Sequence, residues 1–436
     1  MRRELVRCAT LLVLACAVAS GLRLTAAEPR AYVIRDARVH TLSGAGSLQR
    51  ASVVMVDGKI TAVGPGARIP AGATVIPGQG LEVYPGMVNA WGNLGLTEIP
   101  SVPATVDSAE MGDYNPHLLA FTAIHPSSEH FPVARVNGIT TALSAPSGGI
   151  ISGQTVLLHL DGWTADEMAL GKSAGMVINF PSLSARRGRL GGGGGFEGAR
   201  RQTFAERRRT YDRELRELSE LLEEARHYAA ARSANPATER DRKLDALVPV
   251  VKGEMAVFLL ADSARDIRNA VEFARREKLR VVLQGGREAN QVADLLKREN
   301  VPVILGSIVE LPAREDDPYD ARFTLPRDLA KAGVKFALTS PSTEFARDLP
   351  YEAGFAAAYG LSHADALKAV TLAPAEILGV ADRIGSIEVG KLADLVVTDG
   401  DLLELRTQVK NLFVAGKNVS LETKHTRLYE KYLNRP

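Results

Sequence analysis

Polar and apolar positions alternate along the first part of the chain. Ala31–His40 alternates, Ala51–Asp57 is a second β-rich run, and Lys59–Val63 follows across the tight-turn dipeptide Asp57-Gly58. Gly64-Pro65-Gly66 breaks the third run. Short β-rich runs of this kind predict a small antiparallel sheet. From Tyr84 to about Ala381 the rhythm changes. Strand-like runs at Ile139–Ser144, Gly175–Asn179, Ala256–Ala261, Arg280–Gln284, Pro302–Leu305 and Lys335–Thr339 alternate with helical stretches at Ala264–Lys278, Glu288–Glu299 and Leu325–Ala332. Strand, helix, strand in succession predicts a parallel sheet, and roughly 300 residues of it suit a (β/α)8 barrel with insertions. After Arg383 the β pattern returns in Leu395–Thr398 and Asn411–Ala415. These late strands are expected to rejoin the early ones. The predicted class is therefore α/β: a TIM-like barrel over 84–383, clasped by a composite β-sandwich from 28–83 and 384–436.

An insertion interrupts the barrel near 186–234. Arg186–Arg189 and Gly191–Gly195 form a basic, glycine-rich loop, and a charged helix is predicted from about Ala199 to Ser233. Tyr211, Leu215, Leu218, Leu222 and Ala225 recur on it at helical spacing. The glycine run lacks the Lys-Ser/Thr of a phosphate loop and the spacing of a dinucleotide fingerprint, so a lid or a linker is the simpler reading. Arg200, Arg201 and Arg207–Arg209 are most simply a solvated helix face.

Composition adds little until the first residues are set apart. The chain has 436 residues, 45% hydrophobic and 24% charged, which excludes disordered and fibrous classes. Its formal charge is +2, but residues 1–27 carry four Arg and one Glu, so the remainder stands at −1 (2 − 3 = −1). That balance argues against a nucleic-acid-binding surface. Arg2, Arg3 and Arg7, the apolar run Cys8–Ser20 and the small residues Thr25-Ala26-Ala27 have the form of a signal peptide over 1–27. The run is shorter than a membrane span requires, so an uncleaved anchor is the lesser alternative. Export to a bacterial periplasm is expected, with no membrane span in the mature chain; lipoprotein anchoring through Cys16 is a minor alternative. Both cysteines, Cys8 and Cys16, fall in this segment. Cleavage after Ala27 would remove disulfides, thiolate metal sites and cysteine nucleophiles from consideration.

Three stretches carry a family resemblance. They are Val53–Gly64, leading into Tyr84-Pro85-Gly86-Met87-Val88-Asn89; Gly138–Trp163; and Leu372–Asp401. In order and spacing the chain resembles the imidazolonepropionase-like members of the amidohydrolase superfamily. The resemblance implies a metal-dependent-hydrolase barrel with a β-sandwich, and hydrolysis of C–N bonds in small or cyclic amides and imides. It also implies one or two divalent metals held by imidazoles and carboxylates at the C-terminal ends of barrel strands, where the metal makes a nucleophile of water.

The residues at those positions depart from the family pattern. The first strand should end in His-x-His; here Trp91 and Asn93 stand in its place. An indole N–H only donates, and an amide oxygen is a poor zinc ligand. The fifth-strand histidine position falls on Leu260, the sixth on Gly285, and that of the aspartate base on Pro341. No metal cofactor is therefore expected. His117, His125 and His130 cluster with Asp113 and Glu129 after the first barrel strand, but Pro116 and Pro126 break any regular ligand spacing. His159, inside an apolar strand, reads as a packed residue. Weak catalytic candidates are Asn93, Glu98 beyond the first strand and Asp262 at the end of the fifth. Lys252 precedes its strand and is a poor match to a carboxylated lysine. Glu310, Glu315, Asp316 and Asp317 read as a solvated acidic rim. Two functions remain: a hydrolase of small C–N-bonded molecules, and a non-catalytic relative whose barrel mouth binds a small amide-like ligand or a partner protein. Homo-oligomers, or heteromers with an intact relative, are compatible with either.

Overall fold

The computed structural model describes residues 31–183, 203–312, 314 and 316–435. The segment expected to be a signal peptide, with Cys8 and Cys16, the Gly191–Gly195 loop with Arg200 and Arg201, and Glu315 lie outside them.

The early strands are β1 (Ala31–His40), β2 (Ser47–Val56), β3 (Lys59–Gly64), β4 (Thr74–Pro77) and β5 (Glu82–Pro85). The central ones are β6 (Met87–Gly92), β7 (Ile139–Ser144), β8 (Ile151–Gln154), β9 (Val156–His159), β10 (Ala169–Gly171), β11 (Met176–Asn179), β12 (Val257–Ala261), β13 (Val281–Gly285), β14 (Val303–Leu305) and β15 (Phe336–Ala337). The late ones are β16 (Leu395–Thr398), β17 (Val409–Val414) and β18 (Lys417–Val419).

Early and late strands build one eight-stranded sheet in the order β18-β17-β16-β5-β1-β2-β3, with β4 also paired to β1. The join is the antiparallel β5–β16 ladder, from Leu395 opposite Pro85 to Thr398 opposite Glu82. Tyr32 on β1 and Phe413 on β17 are three strands apart in that order, yet their rings meet edge to face at 5.4 Å. The sheet therefore curls over a core of its own, made by Ile34, Val39, Val53, Met55, Ile60, Leu395, Val397 and Phe413. Residues 424–433, assigned to this domain by the sequence, form a helix tied elsewhere: Arg427 binds Glu129, next to the central region's His130, at 2.9 Å.

The central strands form two arcs. One runs β10-β9-β7-β6; the other runs β15-β14-β13-β12-β11-β8. From β11 to β15 every pairing is parallel, as the strand–helix rhythm predicts. The helices Ala264–Glu277 and Ala321–Ala332 return the chain between those strands. Four local expectations change. The helix predicted at Glu288–Glu299 divides into a 3-10 turn, Ala289–Val292, and a short helix, Ala293–Arg298. The one predicted from Leu325 starts at Ala321, because Pro326 is accommodated inside it. The Lys335–Thr339 strand shortens to two residues. β8, which was unforeseen, and β9, the strand read around His159, meet their neighbours β11 and β7 antiparallel.

The β6 edge reaches the segment after β15 through a side chain. The Asn89 carboxamide donates to the Ser340 carbonyl at 2.8 Å and accepts from the Ser340 N–H at 3.2 Å. It does between two segments what a peptide group does in a ladder. The inserted helix, Phe204–Ala234, is firmly docked. Tyr211, Leu218, Leu222 and Ala225 are buried, with Leu215 beside them, as their spacing predicts. Arg226 on this helix binds Glu277 at 2.9 Å, and Tyr228 donates to Asp245 at 2.7 Å. Arg208 and Arg209 are solvent-exposed, and Arg207 is half-buried.

Candidate functional site

Parallel strands place the residues at their C-terminal ends on one rim, where the loops that follow are free to vary. The rim over β12, β13 and β14 encloses a cavity of about 140 Å³. Asp262 closes β12, Gln284 and Gly285 end β13, and Gly306 and Ser307 follow β14; Arg287, Glu310, Arg322 and Pro341 complete the polar and turn-forming lining. Four positions that the sequence singles out, Asp262, Gly285, Glu310 and Pro341, thus meet here.

Beneath and beside this cavity the lumen is apolar. Val88, Ala90, Leu143, Val177, Phe258, Val282, Ile304 and Ala337 point to one cluster, which includes Trp91 and is flanked by Leu260. Alternation along the strands puts these positions on the inner face. Trp91 is buried, and its ring meets Phe258 edge to face at 5.3 Å. Two positions where the resemblance calls for imidazole ligands, Trp91 and Leu260, therefore help to fill the lumen.

The remaining positions are equally unlike ligands. Asn93 is committed on both ends of its carboxamide: Thr343 donates to its Oδ1 at 2.6 Å, and its Nδ2 donates to Thr97 at 3.1 Å. It does not line the cavity. Gly285 has φ +100°, and a Cβ there would lie 2.7 Å from Asp262 Oδ1. No side chain, imidazole included, fits that backbone without rearrangement. Pro341 offers no side-chain donor atom. The set formed by Trp91, Asn93, Leu260, Gly285 and Pro341 does not fit a divalent metal. Among the described residues no group of three or more His, Cys, Asp or Glu side chains is placed to hold one.

Other sequence candidates lie outside the cavity. Glu98 stands by His130, whose Nε2 is 2.8 Å from the Glu98 carbonyl oxygen and 3.4 Å from its carboxylate. His125 is exposed and His117 half-buried, so the three clustered histidines have different surroundings. His159 is buried against Asp394, with Nε2 and Oδ2 3.0 Å apart. Lys252 caps the C-terminus of the helix Arg242–Val251. Of the acidic rim, Glu310 is the exception, lining the cavity and binding Arg322 at 2.8 Å, whereas Asp317 accepts from the Arg314 N–H at 3.0 Å.

The structure adds residues that the sequence did not single out. Glu352, on the helix Leu349–Ala358, is buried below the β14 loop. It accepts from Ser307 Oγ at 2.5 Å, from the Ile308 N–H at 2.8 Å and from the Val309 N–H at 3.3 Å. Burial pushes its carboxyl up to about 7 against the pull of those donors. Arg322 is also buried, and one nitrogen, Nη2, serves both Glu310 and the Ser307 carbonyl. Gln284 lines the cavity with a carboxamide that has no hydrogen-bond partner among the described residues. A lone acid in the apolar run Leu-Pro-Tyr-Glu-Ala-Gly-Phe was the available signal for Glu352. Nothing comparable marks Arg322 or Gln284.

Residues 279–419 match the Amidohydrolase family. The β13-to-β18 segment that carries the cavity's Gln284, Gly285 and Arg322 lies inside this match. Over this segment, under half of its length, the chain is similar to the amidohydrolase superfamily. It is 22% identical over 391 residues, 85% of its length, to amidohydrolase tasK of Hapsidospora irregularis, and that alignment covers 39% of tasK. It is 36% identical over 83 residues to the imidazolonepropionase of Syntrophobacter fumaroxidans, covering 18% of this chain and 20% of that one. The chain thus spans well under half the length of each of those two relatives. Among solved structures it is similar to an amidohydrolase from Thermotoga maritima MSB8, with TM-score 0.77, 22% identity, and coverage of 89% of this chain and 99% of that one. It is also similar to molinate hydrolase, with TM-score 0.54, 18% identity, and coverage of 90% and 95%. These likenesses give the fold: the TIM-barrel metal-dependent-hydrolase architecture with an additional domain.

Proposed function

We propose that this chain binds a small amide- or imide-like molecule at its barrel mouth, without hydrolysing it through a metal-bound water. One observation carries the reading. The free Gln284 carboxamide and the Asp262 carboxylate line a small cavity at the strand ends, while Trp91 and Leu260 belong to the apolar filling beside it. A carboxamide offers an amide ligand both a donor and an acceptor, and Asp262 adds a second acceptor. Small-molecule sites are commonly apolar-walled clefts with a few such groups fixing orientation.

Hydrolysis of a C–N bond is the second reading. Relatives of this fold include a protein named molinate hydrolase and a putative prolidase from Bifidobacterium longum. In this chain such chemistry would draw on carboxyl groups at the rim and just beneath it. Glu352, held near 7 by burial and in contact with Ser307, has the proton affinity suited to acid–base work.

The test is a screen of small amides and cyclic imides on the purified protein, read by ligand-observed NMR and by product formation, alongside elemental analysis. Binding without turnover, at substoichiometric zinc, iron and manganese, is expected. Turnover abolished by a chelator, with one or two metals per chain, would overturn the proposal in favour of metal-dependent hydrolysis.

A further inference from the structure

Arg322 is an unusual place for a buried cation. It sits in the first turn of the helix Ala321–Ala332, where the helix dipole disfavours positive charge. It is 8% exposed. A guanidinium has five N–H donors, and here one nitrogen, Nη2, makes both of its hydrogen bonds, to the Ser307 carbonyl and to Glu310. Its Nε and Nη1 have no acceptor among the described residues, although the side chain lines the cavity. Glu310, its one ion-pair partner among the described residues, is half-exposed and is screened by solvent. A second guanidinium, Arg287, lines the same cavity and reaches Asp262 only at 3.9 Å. Burying a cation this incompletely paired is expensive unless something else completes it.

The adjoining groups are of a different kind. Gln284 offers an unused amide, and Asp262, about half-exposed, accepts from the Arg287 N–H at 3.3 Å with lone pairs to spare. The cavity therefore pairs an under-satisfied cation with an amide-complementary surface. With Nη2 engaged, the open Nε and Nη1 each offer a single charge-assisted hydrogen bond, and a carboxylate is the ligand group that would also neutralise the cation.

We infer that the ligand of the mouth carries a carboxylate as well as an amide, as an N-acyl amino acid does, and that Arg322 is the residue that selects for the carboxylate. This rests on the amide-binding reading above and extends it. Arg322 takes the carboxylate through its open donors, with Arg287 as a second cationic neighbour. Gln284 and Asp262 meet the amide group. Truncating Arg322 then removes the preference for acids while leaving amide binding in place.

The probes are N-acetylglycine and its methyl ester, which share the amide and differ in the charge. Dissociation constants are measured by ligand-observed NMR on the full chain, wild type and Arg322→Met, with Arg322→Lys as a variant that keeps the charge and changes the placement of the donors. N-acetylglycine is expected to bind wild type about 10- to 100-fold more tightly than the ester, the range of a charge-assisted hydrogen bond. Arg322→Met is expected to erase that difference, and Arg322→Lys to retain part of it. Equal affinity of wild type for acid and ester would overturn the carboxylate inference and leave the amide-binding proposal standing. Binding of neither probe would overturn both. The acid–ester comparison on wild type decides the question even if Arg322→Met fails to fold.

Discussion

Buried charge is treated in opposite ways in two regions of the molecule. At the seam between the curled sheet and the central strands, each buried imidazole is closed by a carboxylate. His159 on β9 meets Asp394 just before β16, and Asp394 also accepts from the Ala415 N–H at 2.7 Å. In the sheet, His40 stacks on Tyr84 at 4.4 Å and meets Glu82 at 2.8 Å, and Tyr84 donates to the same carboxylate at 2.5 Å. At the mouth, by contrast, Arg322 and Gln284 keep unused donors beside a cavity. Titratable groups alone do not mark a binding site, since the seam has them in a closed arrangement. Donors left open at a concave surface do.

The largest effects should come from breaking the seam. Asp394→Ala leaves His159 buried without its partner and the Ala415 N–H without an acceptor, so a loss of about 3–5 kcal/mol is expected in denaturant unfolding. The pair also predicts a pH dependence. Burial works against the charged His159, but the charge and hydrogen bond of Asp394 outweigh it and raise its pKa. A raised folded pKa contributes stability that is complete below the unfolded value of 6.5 and is lost as pH rises through the folded value. Asp394→Ala should remove that loss along with the stability. An unchanged pH profile in the variant would show that the seam is not closed in the way described.

At the mouth the largest stability effect is expected from Trp91. Trp91→Ala empties the lumen beside Phe258, and about 3–5 kcal/mol of destabilisation should follow. The variant opens space but adds no ligand, so its metal content should equal that of wild type by elemental analysis. Metal uptake on this change would mean that Trp91 covers a donor set now described as unfit.

These two regions were not equally legible in the sequence. The fold was largely readable, because β7 and β11–β14 are compact apolar runs and the helix Phe204–Ala234 shows its buried face at regular spacing. Elements set by distant partners were harder. β8 and β9 pair antiparallel within a region whose local rhythm is parallel, and β15 is two residues long. The seam was legible only by half: His159 reads as a packed residue, but Asp394 lies 235 positions away. At the mouth, the positions Trp91, Leu260, Gly285 and Pro341 could be read by resemblance, whereas Arg322 and Gln284 look like any surface residues of a helix and a strand end. What distinguishes them is an unfilled hydrogen-bond inventory, which exists only once the neighbours are placed.

Glu352 offers a finer comparison, since it is a carboxyl buried as deeply as Asp394 but paired with neutral donors. Its pKa of about 7 stands above the ordinary 4.5 because burial outweighs the hydrogen bonds from Ser307, Ile308 and Val309. The native state therefore holds this proton more tightly than the unfolded chain does. Stability from this group is complete below 4.5 and declines as pH rises to about 7. The span corresponds to about 3 kcal/mol as an order of magnitude. Glu352→Gln can keep the local bonds: its oxygen accepts from the Ile308 and Val309 N–H groups, and its amide donates to Ser307 Oγ. The variant should fold and lose this component of the decline between pH 4.5 and 7, measured as unfolding free energy against pH, while the His159 component above 6.5 persists.

The smallest expected effect tests the Asn93 assignment. Its two side-chain bonds, from Thr343 and to Thr97, tie the segment after β6 to the segment after β15, close to the Asn89–Ser340 bridge. Asn93→Ala removes both and should cost about 1–2 kcal/mol, the sum of two ordinary hydrogen bonds. Because Asn93 does not line the cavity, the affinity for N-acetylglycine should stay within twofold of wild type. A large loss of affinity with little loss of stability would instead give Asn93 a direct part in ligand binding and extend the site from the β12–β14 rim to β6.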